Sequence, residues 1–481
     1  MMLLAAVFVV VPLNLHAQKK AGDIKLERRV FDGPNGEKVE GARGTLTVPE
    51  NRANPNSRMI DLTFAKFNTT SKNPGPPVIY LAGGPGGSGI AAARGTRFPL
   101  FMAMREIGDV IAFDQRGTGA SGANTNCTEK FTFPPDQPLT REKTLELYRA
   151  LGKACHDRLL ASGIDLLGYN TNENADDIDD LRKALGAQKV SLWGISYGTH
   201  LAIATLRRHE ANIERVILAG IEGPEHTLKL PSNTQKHLDE IDRRMKLDPE
   251  IAKLIPSFPM LVKEVLDRLE KQPVTVQVTD QTGKKTNVVL TKFAVQLMTT
   301  FAFGGDEGRM PALYYGMSKG DFKFPGQRWL SLANGAQGMP SGMTHMMDCY
   351  SGVTKARYAR VKAEDRTTLL ADVIDFPFPD VCDVWGNPDL GEAFRKNIKS
   401  NVPALFISGT FDVRTPPSNA EEVRRGFKTN YHLIIDGAVH SDPLFLSSPK
   451  ILETMLEFMR GEQPQTLSIS LDPIKFQQIP K

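Results

Sequence analysis

The sequence is poor in the features that would place it outside the ordinary globular class. No block of five or six like charges occurs, and 59 Lys+Arg against 55 Asp+Glu leave a net charge of only +4 over 481 residues. There is therefore no electrostatic case for nucleic acid or an anionic membrane surface as a partner. Internal repeats and low-complexity tracts are missing, which excludes solenoids and linker-like segments. Cysteine is scarce: Cys127, Cys155, Cys349 and Cys382 are the whole set. None forms a Cys-x-x-Cys pair and no two histidines stand at zinc-ligand spacing, so a metal site is poorly served. Long apolar runs are missing too, with one exception at the amino terminus. Residues Met1 to Ala17 are apolar, and Pro12 interrupts them before the roughly 20 residues that a span requires. This segment reads as a secretory signal peptide ending at the small residue Ala17, although Leu15 is bulky and no Lys or Arg precedes the stretch. After export, four cysteines would oxidise, with three connectivities open to them.

What is present is a core-forming composition, 41% apolar and 24% charged. Strand-like runs occur at Gly44 to Val48, Met59 to Phe67, Pro77 to Ala82, Asp109 to Phe113, Lys189 to Ile195 and Arg215 to Ala219. Helical patterns at Thr140 to Ala161, Asn174 to Leu185 and about Thr199 to His209 lie between the later ones. The acidic opening of the second helix suits a helix N-terminus. This alternation predicts an α/β fold with a doubly wound, mostly parallel sheet covered on both faces. It stops at about residue 222 and resumes with Ala404 to Ser408, His432 to Ile435 and a helix at about Lys450 to Arg460. The chain is thus expected to comprise a signal peptide (1–17), a first core part (18–221), a mainly helical cap insertion with one hairpin (222–400) and a carboxy-terminal core part (401–481).

Two Gly-x-Ser-x-Gly matches exist, and 41 glycines make the pattern weak by itself. Gly316 to Gly320 has no β-branched run before it and no helical pattern after it, so Ser318 is set aside. Gly194 to Gly198 follows VSLW and precedes THLAIATLRR, the strand, sharp turn and helix of a nucleophile elbow. Ser196 is the candidate nucleophile, and the Tyr197 N–H is a candidate oxyanion donor. The cluster Gly83 to Gly89 imitates a dinucleotide fingerprint. Pro85 removes a donor from the place where pyrophosphate would need one, and no good helix former follows directly. The same cluster suits a second oxyanion donor, for which Gly84 is preferred. A base and an orienting acid must follow in the order acid, then histidine. Asp412 and His440 stand just beyond two late strands, on the edge expected for Ser196. His200 is expected to pack or bond locally, and Asp436 lies on the wrong side of its turn.

The strings GGPGGSG, DVIAFDQRGTGASGANTNC, WGISYGTHLA, LFISGTFDVRTPPSNAEEV and GAVH together resemble the α/β-hydrolase family of proline iminopeptidases and secreted tripeptidyl aminopeptidases. GTLTVPENR and YNTNENADDIDDLRKALG add to a similarity spanning about residues 40 to 460. The resemblance implies an α/β-hydrolase fold with a large helical cap and a Ser196, Asp412 and His440 triad. It further implies cleavage beside a free peptide N-terminus with no cofactor, and disulfides pairing Cys127 with Cys155 and Cys349 with Cys382. AGIEGPEHTLK departs from the Asp-containing turn of tripeptidyl enzymes. Glu222 and Glu225, just past a core strand and so near the mouth of the site, are the candidates for holding a substrate ammonium, against the reading of both as solvated loop acids. The alternatives are a carboxylic-ester hydrolase with the same triad, a non-catalytic binding protein on a hydrolase scaffold and, through the glycine cluster, an NAD-binding protein. The expected partner is a peptide substrate in a secreted or periplasmic setting.

Overall fold

The computed structural model describes residues 19–131, 133–280, 283–334, 337–338 and 340–479. The expected signal peptide, 1–17, lies outside the described residues. Ten strands build the main sheet: β1 (Ile24–Asp32), β2 (Lys38–Pro49), β3 (Met59–Phe67), β4 (Val78–Leu81), β5 (Val110–Phe113), β6 (Val190–Ser196), β7 (Ile213–Ile221), β8 (Ala404–Gly409), β9 (Asn430–Asp436) and β10 (Ser468–Ser470). Their order is β1-β2-β3-β5-β4-β6-β7-β8-β9-β10. The first three strands and the β3–β5 junction are antiparallel, and every later pair is parallel. The crossover between β3 and β4 makes the parallel part begin with the central strands, which are buried on both faces.

Alternation explains the layering. Along the central strands Ile79, Leu81, Leu192 and Leu218 join an apolar cluster with the helices Thr171–Ala184 and Tyr197–His209. Tyr80, Trp193, Ile195 and Ile217 point the other way, against the helices Phe98–Met104 and Pro449–Arg460. Truncating any of these fully buried leucines to alanine would cost about 2–5 kcal/mol. A third cluster, from Leu238 to Val373 with Phe411 and Val413, belongs largely to the inserted segment and gives that segment its own core. The insertion is mainly helical and carries the expected hairpin, Val274–Thr279 with Lys285–Leu290.

Three local expectations need correction. Strand β1 has no counterpart in the sequence reading because it is exposed on both faces and its charged residues hide the alternation. The helix expected from Asn174 starts at Thr171, where the Asn170 side chain accepts from the Glu173 N–H. Its acidic run is used less for the helix dipole than for ion pairs. Asp177 holds the buried Arg116 through two bonds of 2.7 Å and also takes Arg52 at 2.7 Å. Finally, a helix does follow the glycine cluster, at Gly89–Arg94. Ser88 caps it, and Asp114 at the end of β5 accepts from the Ser88 hydroxyl at 2.6 Å and the Ile90 N–H at 3.1 Å. A carboxylate at that helix start repels a pyrophosphate, which weighs against the dinucleotide alternative.

Both cysteine pairs form as the resemblance implies. Cys127 bonds to Cys155 and Cys349 to Cys382, with Cα separations of 5.4 and 5.6 Å. The second ties the helix Gly342–Ser351 to the turn Cys382–Trp385 within the insertion.

Candidate active site

Ser196 ends β6 and starts the helix Tyr197–His209 with φ 54 and ψ −126, the forced conformation of a tight strand-to-helix turn. The flanking glycines are steric necessities. A Cβ on Gly198 would stand 2.0 Å from the Leu81 carbonyl oxygen, and one on Gly194 would stand 2.6 Å from that of Gly198. Only bare backbone lets the helix start lie against β4. The competing Ser318 sits at the end of the helix Met310–Ser318, where its hydroxyl donates to the Tyr315 carbonyl.

Asp412 follows β8 and His440 follows β9. The Asp412 carboxylate is fully buried, and its Oδ1 accepts the Arg414 and Thr415 N–H groups at 2.9 Å each. Its Oδ2 lies 2.7 Å from His440 Nδ1 and also accepts the Thr415 hydroxyl. Burial pushes this carboxyl up in pKa, but the His440 imidazole and the Thr415 donors outweigh burial and hold it below the ordinary carboxylate value. An ionised carboxylate only accepts, so Nδ1 carries the imidazole proton and Nε2 is left with its lone pair.

Ser196 and His440 line one cavity of about 560 Å³, together with Gly83, Gly84, Glu222 and Arg414. The Ser196 hydroxyl and His440 Nε2 make no hydrogen bond among the described residues. A hydroxyl and an imidazole that share a cavity in this way commonly tighten only around a substrate. The N–H groups of Gly84 and Tyr197 are likewise unspent among the described residues, the second because it opens a helix. The Ala82 carbonyl just before the glycine loop accepts from the buried Gln115 side chain at 2.9 Å. Hydroxyl, imidazole, buried carboxylate and free N–H groups are the components that acyl transfer requires.

The two candidate ammonium ligands part company. Glu222 is on the cavity wall and buried, and among the described residues its carboxylate accepts only the Thr227 hydroxyl, at 3.4 Å. Glu225 is outside that wall; its carboxylate accepts the Thr354 N–H at 3.2 Å, at the start of a helix in the insertion. Two buried carboxyls that no motif marks interact with charges of this wall without lining the cavity, Asp348 on the helix Gly342–Ser351 and Asp375. Burial, together with the charges of Glu222 and Asp375, raises the Asp348 carboxyl well above its ordinary pKa. Asp375 is pushed up to about 7, chiefly by burial. A lone aspartate within the Met-rich stretch THMMDCYS was the one available signal. His200 is buried between the Gly223 carbonyl (3.1 Å) and the Ser351 hydroxyl (3.0 Å) and takes no part in the cavity. Asp436 accepts from Arg244 and Thr410, away from the imidazole.

Two family models and several curated proteins are similar to parts of this chain. Residues 76–290 match the family described as alpha/beta hydrolase fold, and residues 377–465 match that described as TAP-like protein. The chain is 30% identical over 194 residues to a tripeptidyl aminopeptidase of Streptomyces lividans, covering 38% of this chain and 35% of that protein. It is 30% identical over 191 residues to the serine protease Hip1 of Mycobacterium tuberculosis, covering 38% and 36%. The matched stretch thus spans about a third of the length of these curated relatives. Among solved structures, an epoxide hydrolase from Vigna radiata superposes with a TM-score of 0.37 at 14% identity, over 91% of this chain and 98% of that one. The strand-turn-helix at Ser196, the parallel sheet around it and the match over residues 76–290 lead to one statement: the chain has the α/β-hydrolase fold, and its residues 377–465 are similar to the TAP-like family.

Proposed function

We propose that this chain is a secreted serine peptidase that cleaves beside a free peptide N-terminus, as an aminopeptidase of the prolyl or tripeptidyl type. The observation that carries the reading is the placement of Ser196 at a forced turn in the same cavity as His440, whose Nδ1 is fixed by the buried Asp412. In the proposed reaction His440 Nε2 takes the Ser196 proton as the oxygen attacks the acyl carbon. The Tyr197 and Gly84 N–H groups stabilise the resulting oxyanion. His440 then protonates the leaving amine, and water, deprotonated by the same imidazole, hydrolyses the acyl-enzyme.

An exopeptidase also needs a carboxylate for the substrate ammonium, and the position of Glu222 on the cavity wall supports that role for it. The curated relatives are named as an aminopeptidase and a serine protease, which supports a peptide over an ester. Two disulfides and the apolar amino-terminal segment support export. No helix among the described residues is long and apolar enough to cross a membrane.

The test is a digest of matched peptides with free and acetylated N-termini, with short p-nitrophenyl esters alongside. The reading expects cleavage of the free peptides, its loss on acetylation, and a KM for free peptides raised about tenfold or more in Glu222→Gln. Turnover of esters alone, or equal cleavage of acetylated peptides, contradicts it.

A further inference from the structure

Three cations line the cavity beside Ser196, and two of them are already engaged. Arg97 donates to Asp442 at 2.8 Å, to Ser441 at 3.1 Å and to the Tyr80 hydroxyl. Lys229 lies 3.6 Å from Asp375 and donates to the Thr227 carbonyl at 3.1 Å. The third, Arg414, makes no ion pair and no side-chain hydrogen bond among the described residues. Its backbone is nonetheless fixed beside the site, because its N–H donates to Asp412 at 2.9 Å and Pro416 and Pro417 stiffen the chain just beyond it.

Arg414 is half-buried as a residue, and its guanidinium meets no anion among the described residues. The proposed chemistry adds a cost. When His440 takes the Ser196 proton, imidazolium and guanidinium become like charges on the wall of one cavity. An anion delivered by the substrate would relieve it. The same wall carries one weakly engaged carboxylate, Glu222. A wall with one weakly engaged acid and one guanidinium unpaired among the described residues complements a zwitterion.

We infer that Arg414 receives a carboxylate of the substrate, so that the preferred substrates are peptides carrying an anion close to the scissile bond. This rests on the peptidase reading above. Two sources supply that chemistry, the α-carboxylate of a short free peptide and the side chain of an acidic residue. A guanidinium grips either through two parallel N–H donors.

Binding can be read without turnover. Calorimetry on the Ser196→Ala protein compares tetra-alanine with a free and with an amidated carboxyl end. A second, amidated pair differs by Glu against Gln as its fourth residue. In at least one pair the carboxylate form is expected to bind about tenfold tighter or more. Adding Arg414→Gln should bring that ratio close to one, while Arg414→Lys retains part of it. A difference confined to the first pair identifies the α-carboxylate, and one confined to the second identifies the acidic side chain. Equal binding within both pairs, or a difference that survives Arg414→Gln, overturns the inference. The peptidase reading fails separately, if wild-type protein leaves intact a free peptide that the Ser196→Ala protein binds.

Discussion

Ser441, the residue after His440, stands at φ 83, a left-handed conformation that non-glycine residues rarely adopt and that costs about 1–3 kcal/mol. Arg97 holds it there, through its bond to the Ser441 hydroxyl and its pairing with Asp442. The Thr96 hydroxyl takes the other oxygen of the same carboxylate, and the Arg97 guanidinium also lies over the Phe445 ring at 5.1 Å. This clamp sets the direction in which the chain leaves His440. Arg97→Met is expected to lower kcat about tenfold with a smaller change in KM. Adding Ser441→Gly should recover part of the loss, because glycine adopts the same φ without strain. Steady-state kinetics on the two variants checks this, and an unchanged kcat in Arg97→Met would remove Arg97 from any positioning role. Neither Arg97 nor Arg414 was legible as a site residue. Each matters because of what it touches in space, and AAARGTRFP or FDVRTPP shows nothing of that. Ser196, Asp412 and His440 could be named because each is tied to the end of a recognisable strand.

At the scale of elements, the turn Val373–Asp375 of the insertion meets the segment after β7 through one buried carboxylate. Asp375 accepts the Lys229 N–H at 2.7 Å, and its side chain is only 3% exposed. Burial raises its pKa to about 7. Lys229 and Arg357 act in the opposite sense, Asp372 adds to the rise, and Asp348 with Glu222 completes the charged surroundings. An unfolded aspartate titrates near 3.9, so between about pH 4 and 7 the folded chain binds a proton that the unfolded chain does not. The stability from this group is therefore complete below about pH 4 and is lost as pH rises through 7, a change on the order of a few kcal/mol. Urea unfolding at pH 5 and pH 8 should show wild type losing more stability than Asp375→Asn over that interval; parallel losses would contradict the assignment. The sequence reading located the strands around the site because buried parallel strands are short apolar runs. It placed the helix at Thr171 one turn late because Asn170 and Thr171 carry no apolar signal. Their helical role comes from the Asn170 cap.

At the scale of the whole molecule, the site lies where the carboxyl ends of β4, β6, β7, β8 and β9 meet, and the insertion after β7 touches its glycine loop. Thr344 of the inserted helix Gly342–Ser351 donates to the Pro85 carbonyl of the glycine loop at 2.9 Å. The break in strand–helix alternation after residue 221 showed that an insertion exists. It could not show which of its faces meets the site, because apolar periodicity reports burial and not the partner. Asp348 illustrates this: the Glu222 charge that helps raise its carboxyl acts on it only because of how an inserted helix docks, across 126 residues of chain. The account as a whole depends on Ser196 being an activated nucleophile. Covalent labelling of the purified protein by a fluorophosphonate tests that most directly. Wild type is predicted to be labelled at Ser196, with labelling lost in Ser196→Ala and slowed about a hundredfold or more in His440→Gln. A folded wild type that takes no label, or a label that persists in Ser196→Ala, would contradict it.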